Sequence, residues 1–277
     1  MPFWKRRRQE DEAPPPPAKR VGMSFGVASD VGQVRPTNQD HVFALQTSLP
    51  GPNGQETLGL FIVADGMGGH LGGATASARA VAIVTLEVLE GLVMPILRED
   101  PPAAIQNLMR EAVLTANRRI LAEAAQQHND MGTTLTAALL LAGRCYQAHV
   151  GDSRLYTHTT EGLACRTRDH SMVARLLELG QITPEEAINH PKRNYLYQSV
   201  GQQDDIEVES DSFPLDGCDS LLLCSDGLWG VVEEQVLLQT LEGGQEPQKI
   251  CEDLVALANE AGGEDNISLI LVALPQT

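Results

Sequence analysis

The sequence lacks several features that would mark whole classes of protein. Only 4% of its 277 residues are aromatic and 42% are hydrophobic, which is the composition of a globular chain. The longest apolar stretch without a charge covers residues 131–143, shorter than the roughly 20 residues that cross a bilayer. We therefore expect no membrane span. The basic start runs into acidic residues and prolines, so we expect no secretory signal either.

Cysteine is also scarce and shows no metal-binding or disulfide spacing. The five cysteines are odd in number, and no two of them form a Cys-x-x-Cys pair. This usage is typical of reduced, buried thiols, so we expect a cytoplasmic protein.

Basic charge is scarce relative to acidic charge. The chain carries 20 Lys and Arg against 37 Asp and Glu, a net charge of −17. Because a body this acidic repels polyphosphate backbones, we expect no nucleic-acid partner. The excess carboxylate fits either a site for a hard cation or a solvated acidic surface, and composition alone does not choose between them.

The first 23 residues differ from the rest of the chain. Lys5–Arg8 are followed by acidic residues at 10–12 and by Pro14–Pro17, with no periodic apolar positions. We expect a flexible tail with a polyproline stretch here and a single domain over residues 24–277. The basic residues of the tail could contact a membrane surface or an acidic partner, or simply remain solvated.

Beyond the tail, apolar periodicity predicts an α+β protein. Strands come in groups and helices in pairs, without the βαβ alternation of a parallel sheet. Three closely spaced strands between residues 133 and 158 predict an antiparallel meander. The predicted strands are 25–29, 41–46, 58–64, 133–141, 145–150, 154–158, 206–210, 220–224 and 266–273, and the predicted helices are 75–97, 105–120, 171–189, 232–241 and 246–261.

Five aspartates stand at the ends of predicted strands or in the turns beside them. Asp65 and Asp226 each follow a strand and precede a glycine, and Asp152 lies between two strands. Asp40 precedes a strand, and Asp265 precedes the last one. One such Asp is most often a turn former. Five of them can converge over the edges of packed sheets and form an all-oxygen site for Mg²⁺ or Mn²⁺.

The glycine-rich segment 65–73 allows two interpretations. Its glycines could cradle a nucleotide phosphate, but the segment has neither the Lys-Ser/Thr of a P-loop nor a Gly-x-Gly-x-x-Gly pattern. We favour the other interpretation, in which Gly66 lacks a side chain so that its carbonyl oxygen can reach an ion held by Asp65.

Six short motifs occur in an order and spacing typical of one family. The motifs are Arg35-Pro-Thr-Asn-Gln-Asp40, Asp65-Gly-Met-Gly-Gly69, Met131-Gly-Thr-Thr134, Gly151-Asp-Ser-Arg154, Ser225-Asp-Gly-Leu228 and Gly263-Glu-Asp-Asn266. On these motifs the chain resembles the metal-dependent Ser/Thr protein phosphatases of the type 2C (PPM) family, in their bacterial form, from about residue 24 to residue 273. The resemblance implies a four-layer αββα sandwich of two antiparallel sheets flanked by helices.

The resemblance also implies a role for each candidate metal ligand. Asp65 would bridge two metal ions, and the Gly66 carbonyl would bind one of them. Asp226 and Asp265 would hold the other ion. Asp40 would act on the metal site, often through water.

The remaining implied roles concern the substrate and a further ion. Asp152 would hold a weaker third ion together with Asp226, and Arg35 would grip the substrate phosphate. The implied cofactors are two Mn²⁺ or Mg²⁺ ions, and the implied reaction is attack of a metal-activated water on phosphoserine or phosphothreonine in proteins. The implied partner is a Ser/Thr kinase that the enzyme opposes, and we expect a monomer.

Two further segments have counterparts in the family. Animal relatives place a histidine, proposed as the general acid, where this chain has Met67; water or His70 could act instead. Residues 167–201 resemble the family's flap beside the active site, and we expect His170 and His190 to hold that flap together.

Other phosphatase chemistries do not fit the residues. No cysteine is followed by an arginine six positions later, and no Asp-x-Asp pair occurs, which excludes cysteine phosphatases and aspartyl-phosphate enzymes. Two alternatives stay open: a non-catalytic phosphoprotein-binding regulatory module of the same fold, and a phosphatase of small phosphoesters.

Overall fold

The computed structural model describes residues 22–51, 54–68, 72–188 and 190–275. Most of the predicted tail, residues 1–21, lies outside the described residues, and so does His70. The predictions made for them therefore stay predictions.

Antiparallel pairing connects all the strands of the described ranges. Most strands begin within three residues of the predicted position. The strands are β1 Ser24–Asp30, β2 His41–Gly51, β3 Gly54–Ala64, β4 Gly66–Met67, β5 Gly132–Thr133, β6 Leu135–Leu141, β7 Arg144–Val150, β8 Arg154–Thr159, β9 Gly162–Cys165, β10 Glu209–Pro214, β11 Cys218–Cys224 and β12 Ile267–Ala273.

Several helices begin where the sequence supplies a cap or a proline. Pro247 is the first residue of α8, where the missing N–H costs no hydrogen bond. Ser171 caps α4, because its Oγ accepts from the Ala174 N–H at 3.2 Å. The helices are α1 Gly72–Val88, extended by a π-helical turn at Leu89–Val93, α2 Met94–Leu97, α3 Ile105–Gln127, α4 Met172–Glu178, α5 Pro184–Ile188, α6 Asp226–Trp229, α7 Glu234–Leu241 and α8 Pro247–Glu260.

Two five-stranded sheets pack face to face between two layers of helices. Sheet I has the order β10-β7-β6-β3-β2 and sheet II the order β1-β12-β11-β8-β9, while β4 and β5 form a short separate ladder. The fully buried Phe61, Leu155 and Ile270 belong to the core between the sheets. Helices α1 and α3 cover sheet I, and α7 and α8 cover sheet II. The α+β class and the αββα sandwich are both confirmed.

One helical stretch of the described chain, residues 72–97, is long and apolar enough by composition to cross a membrane. Its inner face belongs to the core, because Ala76, Ala80 and Val84 are fully buried in the same cluster as residues of α3. Core helices of globular proteins pass the same compositional test, so the expected absence of a membrane span stays a prediction.

The predicted three-strand meander is wrong in its last step. Strands β6 and β7 pair in sheet I as expected, but β8 pairs with β9 and β11 in sheet II. The chain changes sheets in the turn at residues 151–153, where Gly151 adopts a φ of 115° that favours glycine. This crossing places Asp152 at the boundary between the two sheets.

Strand β10 lies later in the chain than predicted. Apolar residues alternate at Ile206 and Val208, and this alternation led to the predicted strand 206–210. Both residues precede β10, and they are buried in the core between sheet I and its helices. The ladder with β7 instead runs from Glu209 to Pro214. Three short elements, β4, β9 and α6, were not predicted.

Candidate metal centre

Strand register brings the five aspartates to one end of the sandwich. Strand β2 starts where β3 ends, so Asp40 and Asp65 meet there. Strand β8 starts where β11 ends, which brings Asp152 beside Asp226. Strand β12 starts beside the end of β1, which adds Asp265. These are the positions at which the sequence placed a site for a hard cation.

Asp65 lies at the middle of the cluster, because the charges of the other four aspartates all act on its carboxyl group. Burial raises the pKa of Asp65 well above its usual value, and the negative charges of Asp40 and Asp226 raise it further. Burial also raises the pKa of Asp40 to about 7, although a hydrogen bond from Ser225 opposes the shift. The pKa of Asp226 is raised by burial and then by the charge of Asp265. Charges of one sign this close favour a cation among them.

Two oxygens of this cluster are buried without a partner. Oδ1 of Asp40 and Oδ1 of Asp226 have no hydrogen bond within the described part of the chain. A buried carboxylate oxygen without a donor is costly, and carboxylate oxygens are the ligands that Mg²⁺ and Mn²⁺ prefer. The residues present therefore fit a divalent cation.

The loop after β3 is fixed so that a side chain at position 66 has no room. A Cβ on Gly66 would overlap the carbonyl oxygen of Gly73, and the Gly66 N–H donates to the Gln39 carbonyl at 3.2 Å. Thr134 holds the Asp65 main chain from the other side. The Thr134 N–H donates to the Asp65 carbonyl at 2.9 Å, and the Asp65 N–H donates to Oγ1 of Thr134 at 2.9 Å. The packing therefore requires glycine at position 66, directly after Asp65.

Arg35 lies at the open side of the cluster. Its Nη2 donates to Oδ2 of Asp265 at 2.6 Å, and its side chain is 49% exposed. The bond to Asp265 raises the pKa of Arg35, and the charges of Asp226 and Asp65 raise it further. A permanent positive charge therefore stands between solvent and the carboxylates.

Asp152 occupies the sheet-crossing turn at the edge of the cluster. The residue is buried, and burial followed by the charge of Asp226 raises its pKa well above the usual value. With Asp226 it lines a cavity of about 590 Å³, on which Val173 and Leu177 of helix α4 also border. The aspartate cluster therefore opens into a cavity that this helix also lines.

Sequence reasoning missed the residues that orient these carboxylates. Ser225 Oγ donates to Oδ2 of Asp40 at 2.8 Å and accepts from the Ser268 N–H at 3.0 Å. The Asn266 side chain accepts from the Gln39 N–H at 2.8 Å and so fixes the segment that leads to Asp40. The only signal in the sequence was that Ser225 and Asn266 adjoin motif aspartates.

A second group of ligand-type side chains is better explained by hydrogen bonding than by a metal. One ligand atom each of His149, His170 and Glu209 lies within 4.8 Å of the others. However, Nε2 of His149 faces the carbonyls of Gly151 and Arg168, so this nitrogen carries the ring proton. Nδ1 of His170 accepts from the Gly151 N–H, and Glu209 accepts from the Arg168 N–H. The group supports the turn that carries Asp152.

The sequence at residues 22–26 matches the Gly-x-Ser-x-Gly spacing of a hydrolase nucleophile elbow. Ser24 is the first residue of β1 and pairs with Ala273. An elbow needs a strand that ends in a sharp turn into a helix, and here a strand begins instead. The segment is therefore not a nucleophile elbow.

Comparison with known proteins agrees with this geometry. A family model described as Protein phosphatase 2C matches residues 37–267. The Serine/threonine phosphatase stp of Listeria welshimeri is 36% identical over 248 residues, which make up 88% of this chain and 93% of that protein.

Solved structures give the same result. The serine/threonine phosphatase PstP/Ppp of Mycobacterium tuberculosis has a TM-score of 0.77 at 31% identity, covering 92% of this chain and 100% of that chain. The catalytic domain of the protein phosphatase PstP in complex with two manganese ions has a TM-score of 0.75 at 30% identity, covering 92% and 99%.

The sequence, the fold and the carboxylate cluster all indicate the same family. The family match spans most of the chain, and the Listeria welshimeri and Mycobacterium tuberculosis relatives are Ser/Thr phosphatases by name. The cluster offers the oxygen ligands of a divalent cation. The chain belongs to the protein phosphatase 2C family and is a metal-dependent serine/threonine protein phosphatase.

Proposed function

We propose that this protein hydrolyses phosphoserine and phosphothreonine in proteins with two Mn²⁺ or Mg²⁺ ions held by its aspartate cluster. The observation that carries the proposal is the group formed by Asp40, Asp65 and Asp226, with two buried oxygens that lack a partner, beside an exposed arginine. The two manganese ions in the PstP structure support the number of ions.

The proposed ligands divide between the ions. Asp65 would contribute to holding both ions, and the Gly66 carbonyl would help to hold one of them. Asp226 and Asp265 would hold the other ion, and Asp40 would act on the site. When bound, the cations supply Lewis acidity toward the phosphoryl group and lower the pKa of water.

Asp152 and Asp226 hold a weaker third ion in this proposal. Both residues line the cavity beneath the flap, and both carboxyl pKa values are raised by burial, with the charge of Asp226 also acting on Asp152. An ion held here would therefore border the same cavity as the flap residues.

Arg35 binds the phosphoryl oxygens of the substrate. A guanidinium presents five N–H donors in a planar fork that matches two oxygens at once. The hydrogen bond to Asp265 is made by Nη2, which leaves further donors for a phosphate. Because the side chain is about half exposed, a phosphorylated residue can reach it from solvent.

We place this activity in the cytoplasm, opposite a Ser/Thr kinase. The substrate is made by phosphoryl transfer to a hydroxyl, so a kinase must act before this enzyme. All five cysteines are free, which suits a reducing compartment. The catalytic unit is a monomeric domain of residues 24–277, with its flap at about 167–201.

Phosphate release from a phosphothreonine peptide tests the proposal. Turnover should require Mn²⁺ or Mg²⁺, stop in excess EDTA, and be lost in Asp65→Asn and Asp226→Asn. The exposed Asp205→Asn is the matched control and should keep full turnover.

The same variants need a stability measurement in EDTA. Because the pKa values of Asp65 and Asp226 are raised, ionised carboxylates destabilise the metal-free fold at neutral pH. Each neutral amide should therefore leave the protein at least as resistant to urea as the wild type. Full activity in either folded variant would overturn the ligand assignment.

A further inference from the structure

A closed ring of contacts surrounds the turn that carries Asp152. Nε1 of Trp229, at the end of α6, donates to the Asp152 carbonyl oxygen at 2.9 Å. The Arg154 guanidinium lies over the Trp229 ring at 3.5 Å from its centroid. Nε and Nη2 of Arg154 form a fork on Asp169 at 3.0 and 2.8 Å.

The ring closes through the first residues of the flap. His170 follows Asp169 in the chain, and its N–H donates to the Gly151 carbonyl at 2.7 Å. In return, the Gly151 N–H donates to Nδ1 of His170 at 3.2 Å. Gly151 is covalently bound to Asp152, so the path returns to its start.

The charged members of this ring are well shielded from water. The side chains of Arg154 and Asp169 are 20% and 13% exposed, and Nη1 of Arg154 donates to the hydroxyl of the fully buried Tyr156 at 2.9 Å. A buried ion pair with good geometry is costly to open, because breaking it leaves an uncompensated charge. The cation–π contact of Arg154 with the Trp229 indole stabilises this arrangement further. The ring is therefore a rigid frame rather than a set of surface contacts.

This frame touches Asp152 from three directions. Trp229 holds its carbonyl, His170 holds the preceding peptide through Gly151, and Arg154 leaves the turn only two residues later. With its main chain held in this way, the Asp152 carboxylate can move only by rotation about its own χ1 and χ2. Groups behind a metal ligand commonly set its orientation and affinity.

We propose that Trp229 and Arg154 are positioning residues that fix Asp152 for its cation and couple it to the flap through Asp169 and His170. The inference rests on the proposed function only in taking Asp152 as a metal ligand. In this inference, the indole N–H and the Arg154–Asp169 pair set the affinity for the most weakly bound ion. It also makes the base of the flap part of the same rigid unit as the metal-side turn.

Trp229→Phe is the sharpest variant, because it keeps an aromatic ring under Arg154 and removes only the donor to Asp152. The other tryptophan of the chain, Trp4, lies outside the described residues, and Trp4→Phe is the matched control. Free Mn²⁺ measured by electron paramagnetic resonance gives binding isotherms of the full-length proteins without any turnover. The affinity for the weakest ion should fall by about tenfold in Trp229→Phe, and the tighter sites should stay within about twofold of Trp4→Phe.

Arg154→Lys is the second variant, which keeps the charge and loses the fork to Asp169. It should weaken the same ion, and amide hydrogen exchange should become faster in residues 167–201 than in the rest of the chain. A general loss of stability would instead speed exchange throughout and weaken every ion together, and that outcome would overturn the positioning role.

The outcomes separate this inference from the proposed function. If the wild type releases phosphate and Trp229→Phe binds Mn²⁺ as Trp4→Phe does, the inference is wrong while the enzyme assignment stands. If the wild type binds Mn²⁺ but releases no phosphate from phosphopeptides, the proposed function fails, and the isotherms still decide the role of Trp229. Should Trp229→Phe fail to fold, unchanged weak-ion affinity in Arg154→Lys overturns the inference.

Discussion

Replacing His149 by glutamine should remove a pH-dependent loss of stability that the wild-type protein suffers in weakly acidic solution. The His149 side chain is fully buried. Burial, with a smaller effect of the His170 ring, lowers its pKa from 6.5 to about 3. The folded protein therefore holds a neutral imidazole at a pH where an exposed one takes up a proton.

The magnitude follows from this shift. Because the pKa is lowered on folding, only the unfolded chain binds the proton between pH 6.5 and about 3. The stability that the neutral ring contributes is complete above pH 6.5 and falls as the pH drops below that value. At about 1.4 kcal/mol per pKa unit, a change from pH 7.5 to pH 5.0 should cost the wild type about 2 kcal/mol at this residue.

Urea unfolding in EDTA at several pH values between 7.5 and 5.0 measures the effect as a difference between wild type and His149→Gln. The carboxylates contribute to both proteins and cancel in the difference. The advantage of the wild type should be about 2 kcal/mol smaller at pH 5.0 than at pH 7.5. The control His128→Asn removes an exposed imidazole at a φ of 55°, which Asn tolerates, and its difference should lack this trend. Equal pH dependence of wild type and His149→Gln would refute the reasoning.

Three further predictions concern the substrate arginine, the crossing turn and the tail. Arg35→Ala should raise the KM for a phosphothreonine peptide by about tenfold or more with Mn²⁺ binding retained, whereas the exposed Arg110→Ala should not; unchanged kinetics would remove Arg35 from the site. Gly151→Ala should lower the free energy of unfolding by about 3 kcal/mol in urea titrations, because φ is 115° and a Cβ would lie 2.6 Å from Thr134; a loss below 1 kcal/mol would show that the turn relaxes. Deleting residues 1–20 should leave peptide turnover intact, and a chain that no longer folds would contradict the predicted tail.

Local patterns in the sequence located most elements, but they did not determine which strands pair. Strand β12 and helix α3 were predictable because an uninterrupted apolar run and a periodic apolar face each have one low-energy solution. Strand β8 was assigned to the wrong sheet. Its turn resembles a hairpin turn, and its partner β11 begins some sixty residues later in the chain. Pairing at that distance depends on which faces are covered, and no short window contains that information.

The candidate site divides in the same way. Its aspartates were visible because polar residues at the ends of apolar strands must meet at a sheet edge, and Asp65 and Asp226 carry glycine signals beside them. The groups that orient them were not visible. Ser225 reaches Asp40 across 185 positions of sequence, and Trp229 reaches Asp152 across 77. Such contacts follow from the packing of the sheets and have no local pattern of their own.

The placement of the carboxylates explains why a sandwich of rigid sheets suits this chemistry. Four aspartates with raised pKa values, Asp40, Asp65, Asp152 and Asp226, repel one another in the metal-free protein. On mobile loops they would separate and lose the geometry that a cation needs. Here each one is attached to a strand end whose ladder and buried core resist separation, so the repulsion is retained until a cation relieves it. A cation that binds only the folded state then adds stability as well as reactivity, which couples the fold of this enzyme to its metal supply.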